Sequence, residues 1–266
     1  MPNRNDELWN SFNAAFFTDL DEGDMLFETP PAFELTPDVA NHRQILNILL
    51  MIDVSGSMRG QRIAMVNNAL ENIVKELRKW DDLNAVIRLG VMEFADDAQW
   101  LTPQTVPVHE YVFTPIQAQP WLTNYGPAFR QLNAKLNGEG FMDRSLGEFF
   151  SPLILFVSDG EPTDVGEYPA ALDALRANGW FKHAAKYAIA VGEEARTAEV
   201  IGLLSQFTGI EANVRYADEG EALCSLIEFV AIEGSKVQSS MVSSPEEADS
   251  LSSIFMSRDE SLFTDL

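Results

Sequence analysis

Ile48-Leu49-Leu50-Met51-Ile52 runs straight into Asp53-Val54-Ser55-Gly56-Ser57-Met58, and the reading of this stretch decides the fold. Five consecutive apolar residues suit a strand buried on both faces, because neither face has to be polar. A carboxylate and two hydroxyls follow at once, so the strand ends on a polar site. In an open parallel sheet, ligands gather outside the carboxyl ends of the strands, where loop groups converge. Gly56 would let the loop turn sharply enough to aim both hydroxyls the same way.

Outward from this strand the pattern alternates. After Gly60, the residues Ile63, Val66, Leu70, Ile73, Val74 and Leu77 keep helical spacing, with Lys75, Arg78 and Lys79 in the last turns where the helix dipole favours cations. Val86 to Phe94 reads as a strand, and Asp96-Asp97 as a turn into a short strand over Ala98 to Leu101, which predicts a hairpin at a sheet edge. Prolines at 103, 107, 115 and 120 make residues 102–122 loop and edge-strand material. A helix is predicted from Tyr125 to Leu136, entered through Thr123-Asn124 and stopped near Gly138. Leu153 to Val157 is a second buried strand, ending in Ser158-Asp159-Gly160-Glu161-Pro162-Thr163-Asp164. A helix over Tyr168 to Ala177, a strand over Lys186 to Val191 and helices over Thr197 to Phe207 and Glu219 to Glu233 follow, with a short strand near Asn213 to Tyr216. Strands alternating with helices through right-handed crossovers predict an α/β fold: a doubly wound, mostly parallel sheet flanked by helices, with one antiparallel edge strand.

Flanking this domain, predicted over residues 44–235, are two acidic segments. Residues 1–43 hold two basic and nine acidic side chains, and within them Leu8, Phe12, Phe16 and Leu20 would line one face of a short helix. Residues 236–266 form a Ser-rich acidic tail with too little apolar surface for a core. Phe17-Thr18-Asp19-Leu20 recurs as Phe263-Thr264-Asp265-Leu266, which is either coincidence between acidic segments or a shared docking motif. The net charge of -23 disfavours nucleic acid and anionic membrane surfaces as partners, since both need clustered Lys and Arg. It draws divalent cations to any cluster of oxygens. No apolar run approaches the roughly 20 residues that cross a bilayer. The start of the chain lacks a basic region followed by an apolar core, and Cys224 is the single cysteine. A cytoplasmic protein is expected.

The chemistry of Asp-x-Ser-x-Ser admits several readings. An aspartyl nucleophile in phosphoryl transfer usually has a second carboxylate two positions on, where this chain has Ser55. A serine hydrolase elbow needs glycine two before and two after the nucleophile, which neither Ser55 nor Ser57 has. His42, His109 and His183 belong to no motif, so a hydrolase lacks its base. A hard divalent ion fits better: Mg²⁺ takes about six oxygens, keeps several waters and uses one or two carboxylates. Asp53, Ser55 and Ser57 supply part of that shell.

With these residues the sequence resembles the von Willebrand factor A family, the integrin I-like domains, over about residues 44–235. Asp53-Val54-Ser55-Gly56-Ser57 matches the first element of that family's metal ion-dependent adhesion site. The family's threonine on a loop ahead of a helix corresponds to Thr123, and its aspartate after the next buried strand to Asp159. The resemblance implies that Ser55, Ser57 and Thr123 bind the ion directly and that Asp53 and Asp159 act mainly through water. Within the family, Gly160-Glu161-Pro162-Thr163-Asp164 and the compact size look like the bacterial TerY-like proteins of tellurium-resistance and stress systems. Such proteins are often encoded with a PP2C-type phosphatase and a protein kinase.

The expectation is therefore a non-enzymatic, metal-dependent protein-binding module. Mg²⁺ is the expected ion, with Mn²⁺ or Ca²⁺ as alternatives, and a partner protein would supply an acidic residue to it. The competing readings are a Mg²⁺-dependent phosphoryl-transfer enzyme and a structural subunit whose site is filled by its own acidic tail.

Overall fold

The computed structural model describes residues 43–79 and 85–217, together with 224, 225, 227 and 228. The amphipathic stripe at Leu8 to Leu20, the Ser-rich tail and most of the helix expected at 219–233 lie outside these residues. Strand β1 spans Gln44–Asp53, and Ile48 to Ile52 are wholly buried. Helix α1 (Gln61–Lys79) leads to β2 (Ala85–Phe94), then to the short strands β3 (Ala98–Trp100) and β4 (Val106–Pro107). Helix α2 (Tyr125–Lys135) precedes β5 (Leu153–Ser158). Two helices, α3 (Tyr168–Ala177) and α4 (Gly179–His183), separate β5 from β6 (Ala185–Val191), and α5 (Ala198–Thr208) leads into β7 (Val214–Ala217).

The described strands form one seven-stranded sheet in the order β3-β2-β1-β5-β6-β7, with β4 also paired to β2. β1, β2, β5, β6 and β7 run parallel, while β3 and β4 pair antiparallel with β2. The expected single antiparallel edge strand is thus two short pieces. Pro107 ends the second where a missing amide N–H leaves no gap in a longer ladder. Helix α4 is absent from the sequence reading: Asn178 stops α3 and its side chain accepts from the N–H groups of Trp180 and Phe181, starting a new turn.

Alternate side chains of a strand face opposite ways, and β1 uses both. Leu46, Ile48, Leu50 and Ile52 join a core with Val66, Leu70, Ile73 and Leu77 of α1. Leu49 and Met51 join a second core with residues of α2, α3 and α5. That second core centres on Phe156, whose ring lies 4.9 Å from Phe94, 4.9 Å from Tyr125 and 5.1 Å from Phe207. Helices therefore cover both faces, and the continuous apolar runs of β1 and β5 are explained.

From β1 the chain winds one way to β2 and the other way to β5. The carboxyl ends of β1 and β5 consequently flank the crevice where the winding reverses, the position at which open α/β sheets bind ligands. Replacing the central Phe156→Ala is expected to lower the unfolding free energy by about 3–5 kcal/mol in urea denaturation. Val112→Ala, at an 80% exposed position, should stay within about 0.5 kcal/mol of wild type.

Candidate metal centre

Asp53 is the last residue of β1 and is wholly buried. Its Oδ1 accepts from the Ser55 backbone N–H at 2.8 Å and its Oδ2 from the Ser158 hydroxyl at 2.7 Å. Ser158 ends β5, so this second bond joins the two strands at the crevice. The Tyr125 hydroxyl lies 3.0 Å from the Ser158 hydroxyl and donates to the Gly160 carbonyl at 2.7 Å, fixing the loop after β5 from the side of α2. Burial first, and then the Asp159 carboxylate, push Asp53 up to about 6 from its ordinary 3.8, against the bonds from Ser158 and Ser55. Burial likewise pushes the Tyr125 phenol up, so it remains a donor.

The hydroxyls of Ser55 and Ser57 lie 3.1 Å apart, and Ser57 Oγ donates to Asp159 Oδ1 at 2.9 Å. Two hydroxyls and a carboxylate oxygen therefore meet above buried Asp53, with Ser57 exposed at the mouth. Gly56 does not act as expected. It opens a short 3-10 turn over Gly56–Met58 and is not among the glycines of positive φ. A Cβ there would lie no closer than 3.6 Å to its neighbours, an ordinary contact. The turn itself, closed by the Met58 N–H on the Ser55 carbonyl, aims the hydroxyls together.

Thr123 is brought to the same end of the sheet, on a loop held from three directions. The Gly56 N–H donates to the Trp121 carbonyl, the Asn124 N–H to the Ala95 carbonyl, and the Thr163 N–H to the Thr123 carbonyl. Among the described residues no hydrogen bond joins the Thr123 hydroxyl to Ser55, Ser57 or Asp159. The structure thus assembles Asp53, Ser55, Ser57 and Asp159 into one bonded cluster and ties the loop of Thr123 to it through the Gly56 N–H on the Trp121 carbonyl.

Two further residues have roles that the sequence reading does not assign. Asp164 receives the N–H groups of Tyr125 at 3.0 Å and Gly126 at 2.7 Å, capping α2 from another loop where the Asn124 side chain makes no cap bond. A Cβ at Gly126 would come within 2.6 Å of Asp164 Oδ2, so the glycine makes room for the cap. Arg62, in the first turn of α1, is buried, and its Nη1 lies 2.7 Å from Asp159 Oδ2. Its Nη2 lies 2.8 Å from Glu194 Oε2. A cation in the first turn opposes the helix dipole, and that misfit was the available signal.

The donor set is all oxygen and mixes hydroxyls with carboxylates, which suits a hard divalent ion rather than a soft one. Among the described residues no group of three His, Cys, Asp or Glu side chains forms a metal cluster. A cation at this site would offset both the burial and the Asp159 charge that push Asp53 up. Around the mouth, Trp121, Leu122 and Val165 are all more than half exposed, on the loops that carry Thr123 and follow Asp159.

The sequence model of the von Willebrand factor type A domain matches residues 48–161. No curated protein matches the chain. Among solved structures the fold is similar to the pilus adhesin SpaC from Lactobacillus rhamnosus GG, at 12% identity and a TM-score of 0.55, over 71% of this chain and 30% of that one. It is also similar to proximal thread matrix protein 1 from the mussel byssus, in a structure with a zinc-occupied MIDAS motif. There the identity is 17% and the TM-score 0.50, over 73% of this chain and 47% of that one. This chain thus spans less than half the length of either, and at such identities the likeness is one of fold. The family model, matched over less than half of the chain, and the mostly parallel sheet agree in fold with a von Willebrand factor type A domain. No helix among the described residues is long and apolar enough to cross a membrane.

The folded chain holds the Asp53 proton more tightly than the unfolded chain does. Stability without metal should therefore fall as pH rises through the window from 3.8 to about 6, and stay lowered above it. Asp53→Asn carries no such charge. In EDTA, the unfolding free energy of wild type relative to this variant should drop by about 2 kcal/mol between about pH 4.5 and about pH 7.5. Urea denaturation at each pH reads the difference, and a flat profile would contradict burial as its origin.

Proposed function

We propose that this chain is a cytoplasmic, metal-dependent protein-binding module, in which the strand-end cluster captures an acidic side chain of a partner. The observation that carries this reading is the convergence of the Ser55 and Ser57 hydroxyls with Asp159 over buried Asp53. Ser55, Ser57 and Thr123 would hold the ion directly, and Asp53 and Asp159 would supply the negative charge behind them. A bound divalent ion, Mg²⁺ in our reading, would offer a coordination position to an incoming carboxylate. With few anionic ligands of its own, such a site leaves that ion electrophilic. We read the module as non-enzymatic, since neither a nucleophile nor a base is legible beside the Asp-x-Ser-x-Ser loop.

Two features of the mouth shape the partner. The cluster would select a carboxylate, while exposed Trp121, Leu122 and Val165 suit apolar residues beside that acid. A partner segment with an aspartate or glutamate next to an aliphatic or aromatic residue satisfies both. We place the chain, by its resemblance to TerY-like proteins, in a bacterial stress or tellurium-resistance system working with a PP2C-type phosphatase and a protein kinase. In that setting it would be an adaptor.

Full-length chain immobilised in Mg²⁺ is expected to retain its partner, and to release it in EDTA or when Asp53 is replaced by alanine. Affinity should fall at least tenfold while the far-ultraviolet circular dichroism stays that of wild type. Equal retention with and without metal would sink the proposal. At the rim, Leu122→Ser should weaken partner binding by about 1–2 kcal/mol, as loss of a buried aliphatic contact does, and leave Mn²⁺ affinity unchanged.

A further inference from the structure

Arg62 is the positive charge built into the candidate metal centre. Its guanidinium is buried and holds Asp159 Oδ2 at 2.7 Å, while the other oxygen of the same carboxylate accepts from Ser57 at 2.9 Å. The second nitrogen reaches Glu194 Oε2 at 2.8 Å, and Glu194 stands exposed in the turn after β6. The fold makes a seat for this group. Gly192, at the end of β6, has φ +84°, and a Cβ there would lie 2.5 Å from Arg62 Nη2 and 2.8 Å from Cζ. A side chain at 192 would displace the guanidinium from where it lies, so the glycine leaves room for this placement as well as for the left-handed turn. A flexible surface arginine needs no such provision.

The placement has an electrostatic consequence. Asp159 divides its two oxygens between Arg62 and the mouth of the site, so a cation entering there meets a carboxylate already half neutralised. It also meets a fixed positive charge a few ångströms away, in a buried setting where charge interactions are poorly screened. An external carboxylate arriving on the open side would restore the missing negative charge. The metal and the acid would each then favour the other's binding, and by linkage the coupling is the same in both directions.

On this basis, and resting on the metal-binding reading above, we infer that Arg62 is a positioning residue that keeps the site's intrinsic affinity for divalent cations low, so that ion and acidic partner are captured together. Arg62 fixes the orientation of Asp159 and opposes the entering charge. Glu194 holds the far end of the guanidinium and keeps it in the Gly192 seat.

Mn²⁺ alone is the probe, titrated into full-length protein and followed by the loss of the free-ion electron paramagnetic resonance signal. Arg62→Gln should bind Mn²⁺ at least tenfold more tightly than wild type, whereas Arg62→Lys, which keeps the charge, should stay within about threefold of it. Affinity in Arg62→Gln that is equal to or weaker than wild type, with native circular dichroism, overturns the role of Arg62. Mn²⁺ binding by neither wild type nor Arg62→Gln overturns the metal-binding reading along with it. If Arg62→Gln does not fold, wild type labelled with ¹⁵N-arginine serves instead, its Arg62 Nε–H assigned by the peak missing in Arg62→Lys. Mg²⁺ should shift that resonance together with the Ser55 and Ser57 amides, and amide shifts with Arg62 unmoved overturn the inference.

Discussion

The hydrogen bond from the Ser158 hydroxyl to Asp53 Oδ2 is the constraint on which the candidate centre depends. It ties the end of β1 to the end of β5 where the winding of the described sheet reverses. Because Asp53 is wholly buried, its carboxylate has to be satisfied by the protein, and each of its oxygens has a donor. The Ser55 N–H fixes the loop that carries the two hydroxyls. Ser158 and Tyr125 fix the loop that carries Asp159. An unfavourable act, burying a charge, is thus used to register two loops that are about a hundred residues apart in sequence.

Charge is managed at two scales. The chain as a whole is strongly acidic, with a net charge of -23, which suits cation capture and basic or metal-bridged partners more than anionic ones. At the strand ends the balance is finer. Asp53 and Asp159 raise the demand for a cation, and Arg62 meets part of it from within. Buried ion pairs of this kind contribute little net stability compared with apolar packing but cost much when one partner is removed. Their value here is in holding the Asp159 carboxylate in one orientation.

The regular parts of the fold were readable because each states its burial in its own composition. The apolar runs Ile48 to Ile52 and Leu153 to Val157 suit strands buried on both faces, and the stripe from Ile63 to Leu77 suits a helix packed on one, as the structure shows. Less readable were features that depend on a partner distant in sequence. Asp164 caps α2 from across the site, so no signal near Asn124 announces it. The two-piece antiparallel edge depends on where β2 has bonding capacity left over. Gly56 shows the opposite failure: its residue type suggested a conformational need that the backbone does not have.

By itself the sequence determined the alternation of strands and helices, the burial of β1 and β5, and the presence of carboxylates and hydroxyls at their ends. Hydrophobic patterning is a local property, repeated every two residues in a strand and every 3.6 in a helix, and so it survives in one dimension. The tertiary structure alone decided that Asp53, Ser55, Ser57 and Asp159 form one bonded cluster, that the Trp121 carbonyl on the loop of Thr123 accepts from Gly56, and that Arg62 lies against Gly192. Those are statements about distances of a few ångströms between residues far apart along the chain. Only sheet order and loop closure set such distances, because electrostatic and hydrogen-bond energies act through space and take no account of sequence separation.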